Sequence, residues 1–191
     1  MKKYIVILVG MIAINAAAHA QNDFRGFAWG NGTNKIQQEE SATLTNKIKN
    51  NELVYQDVLG GADCNVFYIF NDDDKLESGM YIFTKKYSNP QLYLQDYEAF
   101  KSLLLQKYGQ PISEKESWAN NTKAAEKHNY GQAIADGDLS LHTVWNTDRS
   151  VIQIILVHNS DKQPVLQIHY TARSLDELQN KAVLQSALKK L

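Results

Sequence analysis

The stretch Cys64–Thr84, CNVFYIFNDDDKLESGMYIFT, leaves this chain the fewest options. Val66, Phe67, Tyr68, Ile69 and Phe70 are β-branched or aromatic, types that fit a pleated surface. Both faces of the run are apolar, so periodicity alone does not separate a strand from a buried helix. Its short length, Gly60-Gly61 before it and Asn71-Asp72-Asp73-Asp74 after it decide for strand. A strand apolar on both faces is expected at the centre of a sheet, covered on each side. Leu76–Thr84 then supplies the second strand of a hairpin, with Leu76, Met80 and Ile82 on one face and Tyr81 and Phe83 on the other. Gly79 within it marks a bulge or a close backbone approach. Calcium loops place their acids at alternate positions with a glycine at the bend and a closing Glu. The contiguous aspartates lack that pattern, and Asx side chains bond their own backbone in turns. A hairpin turn is expected.

The first residues read as an address. Lys2 and Lys3 precede the apolar run Tyr4–Ala17, and Ala18-His19-Ala20 completes the three parts of a secretory signal peptide. The run is too short for a membrane span, which needs about 20 apolar residues. Residues 1–20 are therefore expected to be a signal peptide cleaved after Ala20, giving an exported protein, periplasmic or extracellular, with no transmembrane segment in the mature chain. Loss of Lys2 and Lys3 takes the basic count from 20 to 18 against 21 acidic residues, near −3. That balance offers no basic field for nucleic acid. Cys64 is the only cysteine, so no intramolecular disulfide forms, and its place at a strand start reads as a small apolar filler.

The remaining elements follow in order. Phe24-Arg25-Gly26-Phe27-Ala28-Trp29-Gly30 groups three large aromatics, which seldom stay exposed, and reads as a short strand tying the terminus to the body. A helix is expected next, capped by Thr33 or Asn34, with Ile36, Ala42 and Ile48 as a thin apolar face. Leu53-Val54-Tyr55 starts a strand ending at Gly60-Gly61. Asn89-Pro90 begins the clearest helix, in which Tyr93, Tyr97, Phe100 and Leu104 form one stripe and Gly109 and Pro111 mark the end. Strands are expected over Ile112–Trp118, Ala133-Ile134-Ala135, Leu139–Trp145 (Leu139, Leu141, Thr143 and Trp145 inward), Val151–His158 and Val165–Tyr170. Ala119–Tyr130 reads as a long loop with some helical character, a candidate partner surface. Ser174 and Glu177 form a capping box for a terminal helix carrying Leu175, Leu178, Ala182, Leu184, Leu188 and Leu191.

The expected fold class is thus α+β. Two helix-plus-antiparallel-meander units, 24–87 and 88–171, form one compact domain over 21–173 with helices packed on an antiparallel sheet, and a C-terminal helix spans 174–191. The motif Phe24-Arg25-Gly26-Phe27-Ala28-Trp29-Gly30, with Tyr68-Ile69-Phe70, Gly79-Met80-Tyr81-Ile82-Phe83 and Lys107-Tyr108-Gly109-Gln110-Pro111, resembles a group of uncharacterised secreted or periplasmic proteins of Bacteroidetes-like bacteria. In layout the chain is similar to the helix-plus-meander repeat of β-lactamase-inhibitor-like proteins and of small outer-membrane assembly lipoproteins. It lacks the lipoprotein cysteine.

No Gly-x-Ser-x-Gly elbow, His-Glu-x-x-His or Gly-rich phosphate loop occurs. No catalytic, metal-binding or cofactor-binding residue is assigned, and no cofactor. Two function classes follow. The first is an exported, non-enzymatic binding or structural protein holding an unknown protein or envelope component through a sheet face, the Ala119–Tyr130 loop or the terminal helix. The alternative is a periplasmic hydrolase or metal-assisted enzyme built from His142, His169, Asp136 and Asp138. Convergence of those four side chains in one pocket is what would separate the classes.

Overall fold

The computed structural model describes residues 22–48, 51–119, 129–161, 163–174 and 188. The acidic hairpin anchors it. β3 (Ala62–Phe70) and β4 (Leu76–Phe83) pair antiparallel, and Asn71 shapes the turn by accepting the backbone N–H of Asp73 at 3.1 Å and of Lys75 at 3.0 Å. The aspartates serve the fold: Asp74 Oδ1 accepts the N–H of Thr33 at 3.1 Å, at the start of α1 (Thr33–Glu39). Neither Thr33 nor Asn34 caps that helix; Gly32 stands at the cap position without a side-chain bond.

Six further strands extend the hairpin into one sheet. They are β1 (Thr43–Ile48), β2 (Glu52–Leu59), β5 (Ser113–Trp118), β6 (Leu139–Asn146), β7 (Ser150–His158) and β8 (Pro164–Ala172). The sheet order is β1-β2-β3-β4-β8-β7-β6-β5, and every neighbouring pair is antiparallel. The first four strands run as one meander and the last four as another, and the final strand of each meets at the β4–β8 seam. With α1, α2 (Gln91–Tyr108) and α3 (Tyr130–Asp136) the fold is α+β on an antiparallel sheet.

One face of this sheet holds the core. Along one row of paired residues lie Leu53, Tyr68, Gly79, Tyr170, Ile152 and Trp145, and all are buried. α2 covers the β6–β8 half with the stripe its spacing predicts, Tyr93, Tyr97, Phe100 and Leu104, together with Leu94. Its end follows the sequence, with Gly109 closing the helix at φ 78°; at its start Pro90 holds the cap position rather than the first helical one, and Asn89 Oδ1, one residue earlier, accepts the Gln91 N–H at 3.0 Å. The buried Thr143 and Ser150 hydroxyls are satisfied inside this layer, whereas the Tyr55 hydroxyl is buried without a partner among the described residues. Tyr97 Oη lies 2.7 Å from Thr143 Oγ1, and Trp29 Nε1 donates to Ser150 Oγ at 2.9 Å.

The N-terminal aromatics cover the other half, but not as a strand. Phe24 and Phe27 close a tight turn through paired backbone bonds, with Arg25 at φ 51° and Gly26 at φ 91°. The left-handed region costs a non-glycine residue about 1–2 kcal/mol. Here it aims the guanidinium inward, where it bonds both oxygens of Glu40 (3.0 and 3.1 Å) and Asp57 at 2.6 Å. Asp23 takes Arg149 bidentately at 2.6 and 2.7 Å, fixing the same segment to the β6–β7 turn. Phe24 sits over Gly79, where a Cβ would lie 2.2 Å from the ring; this is the close approach that glycine permits.

Three other expectations fail for identifiable reasons. Ala42 and Ile48 do not extend α1, because Thr43–Ile48 is edge strand β1. Ala133-Ile134-Ala135 belong to α3, not to the sheet; Gly131 lets that helix start against the α2 backbone, where an added Cβ would stand 2.5 Å from Gln91 N. Leu76 faces the core with Tyr81 rather than sharing a face with Met80 and Ile82, because the register shifts between Ile69 and Phe70 and reverses parity at Glu77. β3 is central, and among the described residues cover is seen on one side of it; Phe67 and Ile69 on the other side are half-buried. Residues 1–21 and 120–128, and the terminal helix apart from Ser174 and the exposed Leu188, lie outside the described residues. Among the described residues no helix is long and apolar enough to cross a membrane.

Candidate functional site

Because strand side chains alternate, the sheet has a second face, and the same register defines it. Its middle row reads Val54, Phe67, Met80, His169, Gln153, Val144. The next row reads Gln56, Asn65, Ile82, Gln167, Ile155, His142, Lys115. Ile69 and Val151 stand at one end of the face, Val157 and Val165 at the other. Apart from Val54 and the rim residues, these side chains are half-buried. Among the described residues none of Phe67, Ile69, Met80, Ile82, Val144, Val151, Ile155, Val157 or Val165 belongs to the core cluster or packs against it. α2 and α3 meet β6, β7 and β8 from the opposite side.

Among the described residues the charges of this face lie at its rim, at Glu52, Glu77, Asp63 and Lys115. Its interior polar groups bond one another. Gln153 Nε2 donates to His142 Nδ1 at 3.2 Å, and His142 Nε2–H reaches Ser140 Oγ at 3.3 Å. His169 Nε2–H donates to Gln167 Oε1 at 2.7 Å. Burial holds both imidazoles below their ordinary 6.5, and Lys115 adds to the effect on His142. The histidines are therefore neutral at pH 7, and the face carries no net charge at its centre. Depletion of charge at the centre of an apolar patch is the compositional mark of an interface core.

The four residues expected to assemble an enzyme site do not gather. His142 and His169 share the open face but are separated by β7, about 10 Å at two strand spacings. Asp136 ends α3 on the other layer, bonded to Gln132 at 2.9 Å. Asp138 stands at the turn into β6, four residues and about 13 Å of extended chain before His142. Between them Gly137 is left-handed at φ 84° and donates to Ala133 and Ile134, closing the helix. Among the described residues no group of three or more His, Cys, Asp or Glu is placed to hold a metal.

Two other constellations have structural roles. Arg25, Glu40, Asp57 and Tyr68 form a buried network in which the Tyr68 hydroxyl also donates to Glu40. Burial alone would raise the Glu40 carboxyl, but the bonds from Arg25 and Tyr68 outweigh it and hold the group below 4.5. Its members lie 15, 32 and 43 residues from Arg25, so no local motif reveals them. Cys64 is buried and its thiol is pushed up to about 11, chiefly by burial, which suits the filler role. A polar cleft of about 340 Å³ opens between α2 and β5, lined by Lys101, Glu114, Glu116, Tyr97, Tyr130 and Thr143. Its groups are already paired: Lys101 with Glu114, Tyr130 with Glu116 at 2.8 Å, and Tyr97 with Thr143.

Comparison with protein-family models, with curated proteins and with solved structures returns no match. The open face is what the sequence under-reported. Val151, Ile155 and Val157 alternate with Ile152, Ile154 and Leu156 along β7, repeating the two-sided apolar pattern of β3. That repetition is visible in the sequence, and it marks a face with no described cover.

Proposed function

We propose that this chain is an exported, non-enzymatic binding protein of the bacterial envelope, and that the open sheet face is where it binds. The observation that carries this reading is the uncharged apolar centre of a sheet whose other side already holds the core. Nine apolar side chains left partly exposed on one face of the sheet favour an interaction site there. Export rests on Lys2-Lys3, Tyr4–Ala17 and Ala18-His19-Ala20. The pairing of side-chain polar groups within the face favours holding a surface over turning over a substrate.

The scaffold is in this reading a duplicated unit, 24–87 and 88–171. Each half has a helix followed by four strands, and β4 and β8, the last strand of each, pair at the middle of the sheet. The interruption of the second half by α3 is the main departure. The test of function is capture of tagged protein from its native envelope, alongside Met80→Lys and Ile155→Lys forms. These add a charge to the centre of the face without touching the core. Partners retained by the wild type and lost from both variants support the reading; partners held equally by all three overturn it.

A further inference from the structure

Access to the open face is regulated from within the chain, an inference that rests on the reading above that this face is a binding surface. We infer that residues 175–191 fold back over the centre of the face as a helix, and that a partner must displace them.

Three observations point to this segment rather than to a separate cover. First, it starts in the right place. β8 stands beside the seam in the middle of the sheet. Its last residue, Ala172, pairs with Ser150, and Thr171 pairs with Ser78 near the start of β4. The Arg173 N–H continues the ladder to Arg149 O at 3.0 Å, so the segment leaves from the middle of one end of the sheet. On the core side that exit is taken: Asp23 holds Arg149 there, and α2 packs against β7 and β8. The open face is the side without described cover. A short tether also holds a segment near its target at a concentration on the order of millimolar, which a separate cover must exceed.

Second, the segment has the reach and the pattern. Ser174 and Glu177 make a capping box at its start, and Leu188 is helical. Seventeen residues of helix run about 26 Å, against about 30 Å for the nine residues of β8. Leu175, Leu178 and Ala182, spaced i, i+3 and i+7, form one stripe. Leu188 lies about 110° around the helix from that stripe and is 70% exposed, so docking through the stripe leaves it in water. A helix about 10 Å across covers two strands about 4.8 Å apart. Here those are β4 and β8, with Met80 and His169 beneath. Side chains flanking such a ridge stay partly exposed, as Phe67 and Ile155 are.

Third, the charges match. The rim carries Glu52, Asp63 and Glu77 against Lys115, and the segment carries Lys181, Lys189 and Lys190 against Asp176 and Glu177. The two acids stand in its first turn, where the helix dipole favours them. From Leu175 to Lys190 a helix advances about 22 Å. That brings Lys189 and Lys190 to the end of the face where Asp63 opens β3 and Asp161 lies in the β7–β8 turn.

The test labels the face in the full-length protein with a water-soluble maleimide. Met80→Cys places a thiol at the centre of the face, and Leu103→Cys places one on the exposed side of α2 as a control. Cys64 supplies no background, because it is buried and its thiol is raised to about 11. Met80→Cys should react at least about tenfold more slowly than Leu103→Cys, and adding Leu175→Lys with Leu178→Lys should remove that protection. Far-ultraviolet circular dichroism and the Leu103→Cys rate should not change. A Met80→Cys rate indifferent to the two lysines overturns the proposal. Capture from the native envelope then separates the two readings. Higher partner recovery with Leu175→Lys and Leu178→Lys supports displacement. A face opened by them that recovers no more partner than the wild type overturns it, and the segment is then a fixed part of the fold. Labelling indifferent to those lysines, with partners still lost on Met80→Lys, sinks the inferred cover and leaves the binding reading standing.

Discussion

Gly79→Ala is a demanding test of how the two layers meet. The added methyl would lie 2.2, 2.4 and 2.7 Å from Cδ1, Cε1 and Cγ of Phe24. The ring has nowhere to go. It is 2% exposed and makes aromatic contacts with Tyr68 at 5.3 Å and with Tyr81 and Tyr170 at 5.2 Å. Overpacking of a filled core costs about 1–3 kcal/mol, and the upper end applies where three rings resist displacement. Truncation of the same ring, Phe24→Ala, should cost about 3–5 kcal/mol. In that background the sign reverses. The methyl enters vacated space, and alanine spares the glycine entropy cost of about 0.5–1 kcal/mol, so Gly79→Ala becomes neutral or stabilising. The coupling read from urea unfolding by circular dichroism is then about 2–4 kcal/mol. Should Phe24→Ala approach the whole stability of the fold, Phe24→Leu keeps the cycle measurable and should still relieve part of the clash. Additivity of the two substitutions within about 0.5 kcal/mol would refute the packing argument.

Two further outcomes follow from charge. Glu40→Gln leaves Arg25 facing a neutral amide but still paired with Asp57, so the loss should fall below the about 3–5 kcal/mol of a buried charge left unpaired; the Arg25→Met, Glu40→Leu double variant should recover much of that loss in the same urea assay, and no recovery would show that the two side chains do not act as a pair. Because the Glu40 carboxyl is held below 4.5, the unfolded chain takes up that proton first, so its contribution disappears as pH falls below 4.5 and should be missing from the acid limb of the Glu40→Gln profile. His169 and His142 act in a higher window. Their folded imidazoles titrate below 6.5, so the unfolded state again binds protons first, and the urea midpoint should drop as pH falls below 6.5. His169→Gln should flatten that drop, and a midpoint constant from pH 7.5 to 5.5 would contradict the burial of these rings.

How far the sequence carried depended on whether each signal was local. The stripe Tyr93, Tyr97, Phe100 and Leu104 and the alternation Leu139, Leu141, Thr143 and Trp145 are one-face patterns, and both faces came out as read. β1 was illegible because Thr43–Ile48 is an edge strand with little apolar alternation. α3 is seven residues long, too short for a 3.6-residue period to declare itself, and its Ala-Ile-Ala core fits a strand equally well. The reversal at Glu77 required knowing the register of two strands. The Arg25 network and the face that α2 covers are tertiary facts: which face a helix chooses, and which charges meet across a sheet, are set by pairing between distant segments.

The β4–β8 seam has a kinetic corollary. Its five pairs, from Ser78 with Thr171 to Ile82 with Gln167, join residues 85 to 93 positions apart, so nothing made earlier in synthesis can substitute for them. A chain emerging from its amino end displays β4 as a raw edge for the time it takes about ninety more residues to appear, and such edges recruit foreign strands. A molecule wired in this way needs either an escort or a late, rapid closure, and its yield should be governed by the last strand to arrive rather than by the hairpin that folds first.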